Sequence, residues 1–292
     1  MIRVVTDSTA DIPVEMIASL GITVVPCYVV FGSESYRDGI ELTRQQYYDK
    51  LLATRTIPST AAPPPAFYEQ VYRRLAEETD EIVSIHLTSR YSGLYNSAAV
   101  AARDVTAARI AVIDSGQISM GYGWMAVAAA EAAQRGGTLE EIVTLVEAMK
   151  PRAWVLAVLD TLEFLRRGGR VDWMVAMIGT LLRVKPMVGV HLGEVKLLER
   201  ARTLERSVGR LLARVQALGP LERAIVLHAN APELAERVAD QLQAIFPSWA
   251  PLIDQAGVAI TSHVGPGTVG IACVTAGLRD GEFIGRRDAR RL

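Results

Sequence analysis

The stretch Glu81–Ala98 reads EIVSIHLTSRYSGLYNSA. Its opening run, Ile82-Val83-Ser84-Ile85, is apolar and β-branched, the composition of a buried strand. A hydroxyl-rich turn follows, Thr88-Ser89-Arg90-Tyr91-Ser92-Gly93, and from Leu94 to about Arg103 the chain is alanine-rich and helical. Strand, polar turn and helix N-terminus in that order make a candidate anion site. The first amides of a helix have no partner within it and lie at the positive end of its dipole. Ser89 and Ser92 add hydroxyls there, and Gly93 lets a ligand approach the backbone. Serine is equally a preferred N-cap, which requires no ligand.

The same unit recurs on either side. Ile2–Thr6 leads into Asp7-Ser8-Thr9, and Ala108–Ile113 leads into Asp114-Ser115 and on to Ser119. This alternation predicts a parallel α/β sheet whose polar turns gather at the carboxyl edge, where ligands bind. Pro13 opens a helix to about Leu20. Ile22–Phe31 is an apolar run broken near Pro26, and Tyr36-Arg37-Asp38-Gly39 reads as a turn. Thr43-Arg44-Gln45-Gln46 is a capping box for a helix to about Thr54. Ile57–Pro65 is too proline-rich for a central strand and reads as a stiff loop over the ligand end of the sheet. Helices are expected over Phe67–Thr79, from Ser119 to about Arg135, and over Thr138–Met149.

The pattern changes near Trp154. Trp154–Leu159 reads as a strand, and Thr161–Arg170 as a short helix ending on Gly168-Gly169. A helix is expected over Val171–Leu182, then a hairpin of Arg183–Val190 and Glu194–Arg200. Thr203–Leu218 and Pro232–Ile245 read as helices; Ala224–His228, Gly257–Ser262 and Thr268–Val274 read as strands. The expected architecture is α/β in two domains with the ligand between them. Residues 1–155 form an N-terminal parallel-sheet α/β domain, and residues 156–292 a C-terminal α+β domain with a mixed sheet.

The chain has 292 residues, half of them hydrophobic but only 6% aromatic. Its apolar content is therefore mostly Ala, Val, Leu and Ile, which suits packed α/β layers and an aliphatic channel equally well. A net charge of −1 argues against nucleic-acid binding, and Arg286–Arg291 reads as a solvated tail. Cys27 and Cys273 lie far apart in apolar surroundings and read as free thiols of a reducing compartment. No apolar run is long enough to span a membrane, and the N-terminus goes straight into a strand, so a cytoplasmic location is expected.

Gly265-Pro266-Gly267-Thr268-Val269-Gly270 matches G-x-G-x-x-G, but a strand-like run follows where a dinucleotide site needs a helix. His86, His191, His228 and His263 show no metal-ligand spacing. Ser92 and His263 with Asp7 or Asp114 are the residue types of an acyl-ester hydrolase, although the nucleophile elbow G-x-S-x-G is missing. Arg166-Arg167-Gly168-Gly169-Arg170 concentrates positive charge on a turn, either as a helix C-cap or to meet an anion. Arg202 is a second such candidate.

Taken in order, several of these segments resemble the DegV family of fatty-acid-binding proteins. They are Thr6–Pro13, Tyr36–Thr43, Ser89–Ala98, Val112–Ser115, Leu165–Arg170, Lys185-Pro186, Arg202-Thr203 and His263–Gly267. The resemblance implies two α/β domains with one fatty acid between them, and no catalytic residue, metal or cofactor besides the bound acid. Thr60 and Ser92 would hold the carboxylate, with Gly93, His263 and Arg170 around it. Family members of the fatty-acid-kinase type present the acid to an ATP-dependent kinase subunit that makes an acyl phosphate. Arg166, Arg167 and Arg202 would then face that partner. The family often has Thr-Ser-Gln-Pro where this chain has Thr60-Ala61-Ala62-Pro63, so the two polar residues that would follow Thr60 are alanines here.

Overall fold

A computed structural model describes residues 1–54, 56–169 and 184–277. Arg170, the helix expected over 171–182 and the basic tail lie outside the described residues.

The first half runs β1 (Arg3–Asp7), α1 (Val14–Leu20), β2 (Thr23–Val25), β3 (Tyr28–Phe31), β4 (Glu34–Arg37), α2 (Arg44–Thr54) and β5 (Ser59–Ala61). It continues through α3 (Pro65–Ala76), β6 (Glu81–His86), α4 (Leu94–Asp104), β7 (Arg109–Asp114), α5 (Met120–Gln134) and α6 (Leu139–Met149). The second half has β8 (Ala153–Val158), α7 (Glu163–Gly168), β9 (Lys185–His191), β10 (Glu194–Ala201) and α8 (Leu204–Ala217). It ends with β11 (Leu221–His228), α9 (Pro232–Ile245), β12 (Ile253–Gln255), α10 (Val258–Val264) and β13 (Val269–Thr275).

The expected parallel sheet is present, in the order β2-β1-β6-β7, with every pairing parallel. The chain adds β2 on one side of β1 and then β6 and β7 on the other, so the strand order reverses between β1 and β6, the switch point at which open α/β sheets bind ligands. The three polar turns after β1, β6 and β7 therefore lie side by side. The second sheet is mixed, β10-β9-β8-β13-β11-β12, antiparallel except where β12 pairs with β11. The two halves form two domains. We propose that the division falls at the head of β8, just before the 155/156 joint expected from the sequence, because β8 is a full member of the second sheet.

Helix α5 lies between the sheets. It is apolar all round and buried on nearly every side, as a helix covered on two faces must be. Its small residues let both sheets approach. Trp124 donates its indole N–H to the Ala272 carbonyl of β13 at 3.2 Å. Arg223 of β11 pairs with both oxygens of Glu131 at 3.1 and 2.6 Å and stacks over the Trp124 ring.

Three local expectations are corrected. Glu34–Arg37, partly read as a turn, is strand β4, and the chain turns after it. Ser59–Ala61, read as loop, is β5, an edge strand antiparallel to β3. The flanking prolines only exclude a central strand; an edge strand needs fewer N–H donors. The larger correction is Gly257–Ser262, read as a strand. It is helical, as α10.

What makes α10 a helix is tertiary. The Gly257 amide donates to Asp11 Oδ1 at 2.8 Å, and the Ala259 amide to Asp38 Oδ2 at 3.4 Å. Both carboxylates are buried and come from the N-terminal domain. Asp38 also accepts from the Ser8 hydroxyl at 2.9 Å, and Asp11 from the Ser119 hydroxyl. The amides of a helix start thus find acceptors on another domain. Burial pushes the Asp11 carboxyl up to about 7, against the Ser119 and Gly257 hydrogen bonds that favour its ionised form; neighbouring Asp38 adds to the rise and Arg44 opposes it. Burial raises Asp38 as well.

Two outcomes follow. A Cβ at Gly123 in α5 would lie 2.5 Å from the Ala10 carbonyl oxygen, which is backbone and cannot give way. Gly123→Ala is expected to destabilise the protein by about 1–3 kcal/mol through overpacking, measured by urea denaturation. Because Asp11 is protonated up to about pH 7 when folded but ionises near pH 4 when unfolded, the folded state holds the extra proton between those values. Its contribution is complete below that window and is lost as pH rises through 7. Asp11→Asn should flatten the fall in urea midpoint between pH 5 and pH 8; an unaltered slope would assign the effect to other groups.

Candidate functional site

The cleft between the domains holds a cavity of about 340 Å³, within the range of small-molecule sites. Thr60 on β5, Ser92 and Gly93 in the turn before α4, and His263 on α10 all line it. The structure brings these four sequence candidates together. Thr60 Oγ1 and His263 Nε2 are 2.8 Å apart, a hydrogen bond that joins the two halves of the chain. With the proton on Nε2, the ring donates to Thr60 Oγ1 and leaves the hydroxyl hydrogen to donate to a ligand oxygen.

Each position has a local cause. Pairing with β3 holds Thr60 opposite Val29. The capture of α10 by Asp11 and Asp38 fixes the helix whose last turn carries His263. Gly168, at the end of α7, packs on the imidazole: a Cβ there would lie 2.8 Å from Nδ1. Ser92 serves partly as a cap, its Oγ accepting the Leu94 amide at 3.3 Å, while Gly93 is exposed beside it. The cap and ligand readings of Ser92 are compatible, because a hydroxyl that accepts one bond still has its own hydrogen to donate.

Apart from Thr9, Cys27 and Tyr91, the rest of the wall is aliphatic. Leu165, Val188, Val190, Val195, Ile260 and Val264 face the cavity from the C-terminal half. Among the described residues no Asp, Glu, Lys or Arg lines it. Sequence reasoning missed these walls, since Val and Ile on a strand signal core as readily as cavity. The alternation of Val188 and Val190 was the available hint that one face of β9 looks into the cleft. Thr9 and Tyr91 were also missed; Tyr91 accepts the Val195 amide at 3.1 Å and so ties the turn after β6 to β10.

Arg166, Arg167 and Arg202 are exposed and do not line the cavity. Arg167 pairs with Glu163 at 2.8 Å across one helical turn. Arg170 lies outside the described residues.

The hydrolase constellation does not assemble as the residue types suggested. Asp7 is wholly buried and holds His86 Nδ1 at 2.9 Å and the Tyr122 hydroxyl at 2.7 Å. Asp114 accepts the amides of Ser89 and Gly116. A Ser84–His86–Asp7 series does exist, with Ser84 Oγ 2.7 Å from His86 Nε2, but all three side chains are sealed from solvent and Ser84 also meets the Tyr72 hydroxyl. It cross-links strands under the site and offers no nucleophile to a substrate. Among the described residues there is no cluster of His, Cys, Asp or Glu able to hold a metal, and no helix long and apolar enough to cross a membrane.

A family model described as an uncharacterised protein of the DegV family matches residues 1–276. A DegV domain-containing protein of Streptomyces coelicolor is 37% identical over 274 residues, 92% of this chain and 97% of the relative. The crystal structure of DegV, a fatty acid binding protein from Bacillus subtilis, superposes with a TM-score of 0.85 at 35% identity, covering 94% of this chain and 99% of that one. A fatty-acid-binding DegV family protein from Thermus thermophilus gives 0.84 at 33% identity, with the same coverage. With a match along nearly the whole length, the chain belongs to the DegV family.

Proposed function

We propose that this protein binds one long-chain fatty acid between its domains and presents the carboxylate to a cytoplasmic, ATP-dependent kinase subunit that converts it to an acyl phosphate. The observation that carries the binding reading is the Thr60–His263 hydrogen bond in a mostly aliphatic cavity whose described lining has no Asp, Glu, Lys or Arg. A carboxylate can leave water only where donors replace its hydration, and the Thr60 and Ser92 hydroxyls can be such donors. The tail gains about 0.8 kcal/mol for each methylene buried. His263 supports Thr60, and Gly93 gives the head group room. Solved relatives described as fatty-acid-binding proteins support the ligand class.

The chain itself supplies no nucleophile on this reading and acts as a carrier. The exposed guanidinium groups of Arg166, Arg167 and Arg202 are the features that suit an acidic docking partner. Ala61 and Ala62 line the cavity without adding hydrogen-bonding side chains, so Thr60 bears the contact on that side. Buried Cys27 and Cys273 carry free thiols, which suits the cytoplasm.

Native mass spectrometry of the purified protein is expected to show a bound acyl chain. Thr60→Ala with Ser92→Ala should weaken retention by about 100-fold or more, each charge-assisted hydrogen bond contributing roughly 1.5–3 kcal/mol. Retention equal to wild type would remove the head-group assignment. With a fatty-acid kinase subunit and ATP, Arg202→Glu should lower acyl-phosphate formation while leaving the acid bound; equal turnover would remove Arg202 from the docking face.

A further inference from the structure

A second cavity, a groove of about 560 Å³, lies beside the start of α10 and shares no lining residue with the first. Its apolar walls are Val14 and Ile17 of α1, Val24 of β2, and Pro26, Ile40 and Leu42 from the segments around β3 and β4. Val14 and Ile40 are 68% and 59% exposed, so two large apolar side chains of this lining stand uncovered.

Carboxyl groups outnumber cations along the groove. Asp7, Asp11, Glu15, Asp38 and Asp254 line it, against the Arg44 guanidinium, which pairs with Asp254 at 3.4 Å. Asp7 is committed to His86 and Tyr122, and Asp11 and Asp38 to the start of α10. Glu15 is exposed and has no ion pair among the described residues. An apolar groove with an acidic border fits a segment that carries both apolar side chains and arginines.

This chain has such a segment. Residues 278–292 read LRDGEFIGRRDARRL. They lie outside the described residues, and the match to the family model ends before them, at residue 276. Phe283-Ile284 is an apolar pair, and Arg286, Arg287, Arg290 and Arg291 follow it with Asp288 among them. A terminal basic run is ordinarily solvated; the groove gives this one a counterpart of opposite charge.

The chain is long enough to reach it. Thr275 of β13 lies opposite Leu221 of β11, and Asp254 of β12 lies beside Leu227. From Leu221 to Leu227 is about 20 Å of strand, and two strand spacings add about 10 Å sideways, so Asp254 is about 22 Å from Thr275. An extended chain covers about 26 Å between Thr275 and Phe283, and about 36 Å between Thr275 and Arg286.

We propose that the groove is the docking site of this chain's own C-terminal segment. Phe283 and Ile284 cover Val14 and Ile40, and the arginines after them face Glu15 and Asp254. Asp11 and Asp38 line the same groove, so the docked segment also shields the acceptors that hold α10.

A disulfide trap in the full chain tests this. Val14→Cys with Ile284→Cys is compared with Leu52→Cys with Ile284→Cys, because Leu52 is 77% exposed and does not line the groove. The native Cys27 and Cys273 are buried and stay out of the reaction. Under mild oxidation of dilute protein, the disulfide should close within one chain about tenfold faster at position 14 than at position 52, because docking raises the local concentration of the segment. Arg286→Glu with Arg287→Glu should remove that advantage. Ile40→Cys replaces Val14→Cys if that variant lacks the wild-type circular dichroism spectrum. Equal rates at positions 14 and 52, an advantage indifferent to the charge reversal, or disulfides formed between chains would each overturn the proposal, the last by giving the groove to a second copy. Fatty-acid retention is read separately and bears on none of these outcomes.

Discussion

The amides of Gly257 and Ala259, at the start of α10, end on Asp11 and Asp38, two carboxylates buried in the other half of the chain. A buried carboxyl oxygen left without a donor would be costly, so these amide bonds satisfy both sides at once. They hold α10 across the cleft in one orientation. His263 consequently meets Thr60, and Ile260 and Val264 become cavity wall instead of core. Were α10 a strand, as its composition suggests, this side of the site would be built differently.

The cleft stays hollow for a second reason. Helix α5 occupies the space between the sheets, and its glycines and alanines allow the polar turn after β1 to pack close against it. The domains are thus anchored on α5, through Trp124 and the Arg223–Glu131 pair, while their facing edges at the carboxyl end of the parallel sheet remain apart. The hairpin of β9 and β10 closes the gap from the other side: the Gly193 amide donates to the Gly116 carbonyl at 2.6 Å and Tyr91 accepts from Val195. Packing provides rigidity at one end of the interface and room for a ligand at the other.

The buried Asp7–His86–Ser84 series shows why residue types alone do not define chemistry. Its hydrogen bonds run in the order of a hydrolytic triad, yet its atoms never meet solvent. The cavity, by contrast, contains no pair of acid and base among its described residues. Its lining combines the hydroxyls of Thr60 and Ser92 with mostly aliphatic side chains.

The sequence by itself determined the parallel sheet, its three hydroxyl-rich turns, the hairpin and most helix boundaries. Those features follow from local periodicity, capping residues and glycine, whose physics acts over a few positions. Ser92 and Gly93 stood out in the sequence from the strand, polar turn and helix start around them, whereas Thr60 and the pairing of it with His263 were suggested only by resemblance. Only the tertiary structure decided that Val258–Val264 is a helix, that Ser59–Ala61 is an edge strand, and that Val188, Val190 and Ile260 face a hollow. The acceptors for the α10 amides lie more than two hundred residues away in the chain, and a β-branched run reads as strand until such partners are in place. An aliphatic side chain, likewise, carries no mark that distinguishes a packed interior from a cavity wall; that difference exists only once the opposite wall has been put in position.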